Sequence, residues 1–81
     1  MARFYFHLRE MDQLVTDDEG VELPDQSAAL REAQRGARDL LADAIKTGKD
    51  TVPDAFVIAD EQGREIATLL FETVLPKPLN K

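Results

Sequence analysis

The stretch DDEGVELPD, Asp17 to Asp25, sets five acids around one glycine and one proline. It stands between a strand pattern and a long helix pattern, so its reading decides how the chain passes from one to the other. A metal loop needs oxygen ligands converging on one point. Asp17, Asp18 and Glu19 are consecutive, so their side chains diverge, and the spacing is not the alternation of a calcium loop. Punctuation accounts for each residue separately. Acids and Gly20 make a turn. Val21 and Leu23 alternate with polar neighbours and predict a brief extended segment. Pro24 biases Leu23 away from helix. Asp25 is placed to cap the helix that follows, its carboxylate accepting from free first-turn amides.

Downstream, the apolar residues from Gln26 to Thr47 fall at helical spacing. Leu30, Ala33, Ala37, Leu40, Leu41, Ala44 and Ile45 are expected on the core-facing side. Gly48 is the expected stop, with Lys46 and Lys49 near the negative end of the dipole. Small residues on one flank (Ala29, Ala33, Gly36) would let another backbone approach, or would seat the helix tightly on its own sheet.

Upstream, RFYFHLR (Arg3–Arg9) alternates with period two. Phe4, Phe6 and Leu8 point one way, and Arg3, Tyr5, His7 and Arg9 the other, as in a half-buried strand. Residues 14–16 form a second short strand. Beyond the helix, AFVIA (Ala55–Ala59) and EIATLLF (Glu65–Phe71) read as a hairpin turning at Gly63. The order is ββαββ. The expected fold is an α+β two-layer sandwich, with a four-stranded antiparallel sheet and one long helix on one face. A right-handed crossover gives the strand order 2-1-3-4. Residues 1–75 are read as a single domain and 76–81 as a flexible C-terminal tail.

Composition narrows function. The chain has 81 residues, no cysteine and a formal charge of −6. No disulfide is possible, and the acidic balance disfavours nucleic acid, whose phosphates need clustered Lys and Arg. No apolar run approaches the roughly 20 residues of a membrane span, and the N-terminus lacks a signal-peptide pattern. A cytoplasmic protein is expected, without membrane, cofactor or metal ion.

Catalytic candidates are few. His7 is the one histidine and Ser27 the one serine. A general base needs an orienting partner, and the sequence identifies none for His7, so no catalytic residue is assigned and no enzyme is expected. Arg31, Arg35 and Arg38 form a stripe on the helix. Glu32–Arg35, Arg35–Asp39 and Asp43–Lys46 have the spacing to pair, which favours a solvated mixed-charge face over an anion site. Tyr5 and His7 with Arg3 and Arg9 resemble a small RNA platform, but one tyrosine stacks poorly.

RFYFHLR, DEGVELPD, AALREAQRGARDLL and VIADEQGREIATLLF, in this order, resemble a family of short uncharacterised proteins abundant in rhizobia and related alphaproteobacteria. It is known as a domain-of-unknown-function family. Members often carry Asp-Gly in the first hairpin, where this chain has Glu10-Met11-Asp12. The resemblance supplies no activity and no catalytic residues to carry over.

The remaining signal is an apolar excess. AFVIA and ATLLF are apolar on both faces, and one helix covers one face. With Phe56, Ile58 and Leu70 assigned to the helix, Val57, Leu69 and Phe71 face outward beside Tyr5 and His7. These five, Tyr5, His7, Val57, Leu69 and Phe71, are the expected interface of a homodimer. The expected function is a non-catalytic interaction or regulatory module acting as a homo-oligomer, with an unidentified protein as a further possible partner. The alternative is a nucleic-acid-associated regulator. The hairpin, LPD and long helix resemble HicB-type antitoxins at the level of fold.

Overall fold

The computed structural model describes residues 1–76. β1 (Ala2–Glu10) is followed by β2 (Gln13–Val15), β3 (Val21–Leu23), α1 (Gln26–Thr47), β4 (Ala55–Ala59) and β5 (Glu65–Leu70). The strand path is β2-β1-β4-β5, all antiparallel, with β3 also paired to β1. The expected strand order is therefore found, with β1 internal. The expected second strand lies at Gln13–Val15, and the brief extended segment expected around Val21 and Leu23 pairs with β1 as a strand of its own. The 76–81 tail lies, apart from Pro76, outside the described residues.

The helix begins and ends where local chemistry dictates. The Asp25 carboxylate accepts from the Ala28 amide at 2.8 Å, a cap worth about 1 kcal/mol. Gly48 closes the helix in the left-handed conformation at φ 75°, its N–H reaching Ala44 and Ile45. Against the sheet, α1 buries Ala28, Ala29, Ala33, Ala37, Leu41 and Ala44. Leu30, Leu40 and Ile45, expected on that face, are 39%, 37% and 69% exposed. The row Ala29, Ala33, Ala37, Leu41 runs at four-residue spacing down the helix. Its small side chains bring the helix axis close to the sheet and leave the larger residues at the margins.

The bulk of the core comes from the sheet. Phe4, Phe56, Ile58, Leu69 and Phe71 are buried against that row. Phe56 meets Phe71 at a centroid distance of 5.2 Å and Phe6, edge-on, at 6.2 Å. Its ring also lies opposite Gly36. The small flank of the helix thus receives an aromatic ring of its own sheet. After β5 the chain forms one 3-10 turn, Phe71–Val74, where the sequence suggested a longer strand. Asp54 ties this end together. Its N–H donates to Arg9, its carbonyl accepts from Phe71, and its carboxylate accepts from the Met11 amide in the hairpin turn.

Two glycines give opposite expectations for one substitution. A methyl group at helical Gly36 meets the Phe56 ring at 3.4–3.5 Å, ordinary contact. At Gly20, φ is +71°, and a Cβ would stand 2.9 Å from both the Phe4 carbonyl oxygen and Arg3 Cγ. Gly36→Ala should stabilise the fold by up to about 1 kcal/mol. Gly20→Ala should destabilise it by about 2 kcal/mol or more, from a left-handed backbone plus a main-chain clash. Urea midpoints of the two variants check both signs.

Candidate functional site: the outer sheet face and the Asp17 loop

Register assigns the faces. On β4, Val57 lies between His7 of β1 and Thr68 of β5; Ala55 lies between Arg9 and Leu70, and Ala59 opposite Tyr5. Tyr5, His7 and Val57 therefore share the face away from the helix, as expected. Leu69 and Phe71 do not. Leu69 pairs with Phe56, and both Leu69 and Phe71 are buried in the helix-side core, while Leu70 is 44% exposed. Alternation alone could not fix the parity of β5, since ATLLF is apolar at both parities. A register shift at Ile58/Ala59 sets it, and a one-residue slip turns every side chain over. The central positions of the outer face are small. Ala55, Val57 and Ala59 are only 0%, 5% and 3% exposed, sheltered between the longer side chains of the neighbouring strands. Val57 thus needs no partner to leave water, and the apolar argument for a dimer through this face falls with it.

His7 and the acidic stretch meet where the return strand is broken. β2 takes the edge of β1 at Leu8–Glu10 and β3 takes it at Ala2–Phe4. In the gap, the Asp17 carboxylate does the work of a strand. It accepts from the Phe6 amide on β1, and from Glu19 and Gly20 in its own loop, each at 3.1 Å. The Asp17 N–H donates to His7 Nδ1 at 2.9 Å. A main-chain N–H can only donate, so Nδ1 carries its lone pair and the imidazole proton sits on Nε2. Tyr5 stacks beside the ring, centroids 6.5 Å apart. Arg3 bonds the Glu19 carbonyl at 2.7 Å and the Glu22 carboxylate at 3.0 Å. Partial burial acts to raise the Asp17 carboxyl, but the amides of Phe6, Gly20 and Glu19, with His7, outweigh it and hold it below its ordinary value.

These bonds settle the reading of DDEGVELPD as architecture. Sequence reasoning missed that Asp17 reaches Phe6. The visible signal was its spacing to Glu19 and Gly20, which is that of an Asx-type turn. Asp60 does the same in the β4–β5 turn, accepting from the amides of Gln62 and Arg64 and from the Arg64 side chain. Among the described residues no three His, Cys, Asp or Glu side chains are grouped to hold a metal ion.

The helical arginines are also partly committed. Arg35 pairs with Glu32 and Asp39, as the spacing predicted, and the Glu32 carboxylate raises its guanidinium above the ordinary value. Asp43 pairs with Lys49, not Lys46, at 4.0 Å; the Gly48 cap turns the chain so that Lys49 comes back over the last turn.

Concave surface lies elsewhere, including a groove of about 390 Å³ among Leu8, Glu10, Leu40, Asp43 and Lys49. A cleft of about 350 Å³ is lined by Leu41, Val52, Pro53, Asp54, Leu70, Phe71, Glu72 and Leu75. A second, of about 220 Å³, adjoins it through Leu41 and Leu75 and opens beside Ile45 and Val74. The sequence could not indicate it, because its walls come from α1, the loop before β4 and the 3-10 turn.

The family model for a domain of unknown function, DUF6894, matches residues 3–72. The chain belongs to that family. Comparison with curated proteins and with solved structures gives no match. No helix among the described residues is long and apolar enough to cross a membrane.

Asp17 yields a signed expectation for pH. Its carboxyl titrates lower in the fold than its ordinary value of 3.8. Its contribution is therefore complete above the unfolded-state value and is lost as pH falls through the folded one. Asp17→Ala strands three amides and should cost about 1–3 kcal/mol at neutral pH. Between neutral pH and pH 3, about, the variant's deficit should shrink; paired urea titrations at the two pH values measure it.

Proposed function

We propose that this member of a family without an assigned function is a non-catalytic interaction module that binds another polypeptide, first of all its own copy. One observation carries the reading: two adjoining clefts that share Leu41 and Leu75, the second of them mostly apolar and lined by Ile45, which is 69% exposed. A solvent-facing isoleucine beside a concave apolar surface marks a docking site better than scattered exposed leucines do. The interface thus moves from the outer face to the cleft end; of the outer-face residues, Leu70 belongs to both.

The groups that could carry chemistry support a binding role. His7, Asp17 and Asp60 are engaged with main-chain N–H groups: His7 with Asp17, Asp17 with Phe6 and Gly20, and Asp60 with Arg64. An imidazole whose Nδ1 is occupied by a backbone N–H is oriented for holding a loop. The nucleic-acid reading has less behind it, since Arg3 and Arg35 are spent on Glu22, Glu32 and Asp39 in a chain of charge −6. We take its compartment to be the cytoplasm.

Light scattering at micromolar concentration tests the proposal. The native chain should give a mass above the 9.1 kDa of one copy. Ile45→Lys, an exposed position near a helix C-terminus where a cation is tolerated, should restore the monomer with unchanged thermal stability. A native chain that is monomeric throughout, or an assembly indifferent to Ile45→Lys, overturns it.

A further inference from the structure

We propose that His7 and Asp17 form a proton-sensitive latch that holds the broken return strand against β1. The loop between β2 and β3 is longer than the edge it spans: Val15 to Val21 returns past only Phe4 to Leu8. No strand pairing fixes this excess length. It is fixed by the Asp17 carboxylate, with Arg3 on the Glu19 carbonyl, from one side and by His7 Nδ1 from the other. The second bond exists only while Nδ1 keeps its lone pair. Imidazolium carries a proton on both nitrogens, so protonation sets N–H against N–H and removes the acceptor.

The surroundings leave His7 as the responding group. On its face β1 presents Tyr5 and Arg9, the loop presents Asp17, β4 presents uncharged Val57, and β5 presents Thr68 with the Glu65 carboxylate bonded to its hydroxyl. Arg3 and Glu22 are paired with each other further along β1. The chain has one histidine, and between about pH 8 and about pH 5 an imidazole is the side chain that ordinarily changes charge. Asp17, held below its ordinary value, stays ionised through that interval. Protonation of His7 therefore releases the Asp17 N–H, while the bonds of the Asp17 carboxylate to Phe6, Glu19 and Gly20 and of Arg3 to the Glu19 carbonyl persist.

Amide exchange and nitrogen NMR on the full chain test the latch. At the upper pH the ring should show the Nε2–H tautomer. On acidification, the protection factor of the Asp17 amide should fall by roughly threefold to tenfold, the factor one hydrogen bond commands, while those of β4 stay constant. His7→Asn places an amide oxygen near the position of Nδ1 and cannot be protonated; its Asp17 amide should stay protected across the interval. A ring with its proton on Nδ1 overturns the proposal. So does a native Asp17 amide that remains protected because the imidazolium turns to donate to the Asp17 carboxylate, or one in His7→Asn that responds like the native one. If His7→Asn fails to fold, the tautomer and the native amide's protection decide by themselves.

Discussion

The Phe56 ring is the contact on which the two layers depend. It stands on the central strand, meets Phe6 and Phe71 on neighbouring segments, and reaches up to Gly36 on the helix. A domain of this size buries little surface, so it gains most by drawing its layers close. The division of volume follows from that. The sheet supplies the large residues, Phe4, Phe56, Ile58, Leu69 and Phe71, and the helix supplies alanines. Aromatic rings filling a strip of alanines make a dense interface from few residues. Larger residues at Ala33 or Ala37 would lift the helix off the rings and forfeit contact along the whole row.

A close-lying helix leaves the edges of the sheet to fend for themselves. On the β1 side the solution is a return strand in two short pieces, with a carboxylate bonded to the strand where the pieces part. Short, interrupted edges of this kind resist pairing with foreign strands. The acids of DDEGVELPD are thus divided between tasks. Asp17 bonds the edge, Glu22 pairs with Arg3, and Asp25 caps the helix. Gly20 permits the tight passage over Arg3, Phe4 and Tyr5.

What the sequence discloses follows the range of the forces involved. Asp25 and Gly48 could be read because capping is local, decided within a few residues. The alternation of RFYFHLR could be read because only one parity is apolar. The β5 parity could not, since ATLLF offers apolar residues to both faces and a register shift decides between them. The helix face was read as too wide: spacing identifies which residues share a side, but not that the alanine row lies closest to the sheet. The bond from Asp17 to Phe6 spans eleven residues, and the cleft joins three separate segments, so neither has a local signature.

The misread parity also changes where the proposed association would form. A dimer through the outer face would need that face to be sticky, yet its centre is sheltered and its rim holds Tyr5, His7 and Arg9. An acidic chain repels its own copies at the range of the Debye length, about 8 Å in physiological salt. The self-association proposed above would then come from short-range apolar contact, confined to a site where charge is sparse. The second cleft fits that requirement: among the described residues, Arg38 is the one charged residue lining it, beside Leu41, Ala42, Ile45, Val74, Leu75 and Pro76. There an apolar group leaves water without having to desolvate a carboxylate, while the acids elsewhere on the surface oppose less specific association.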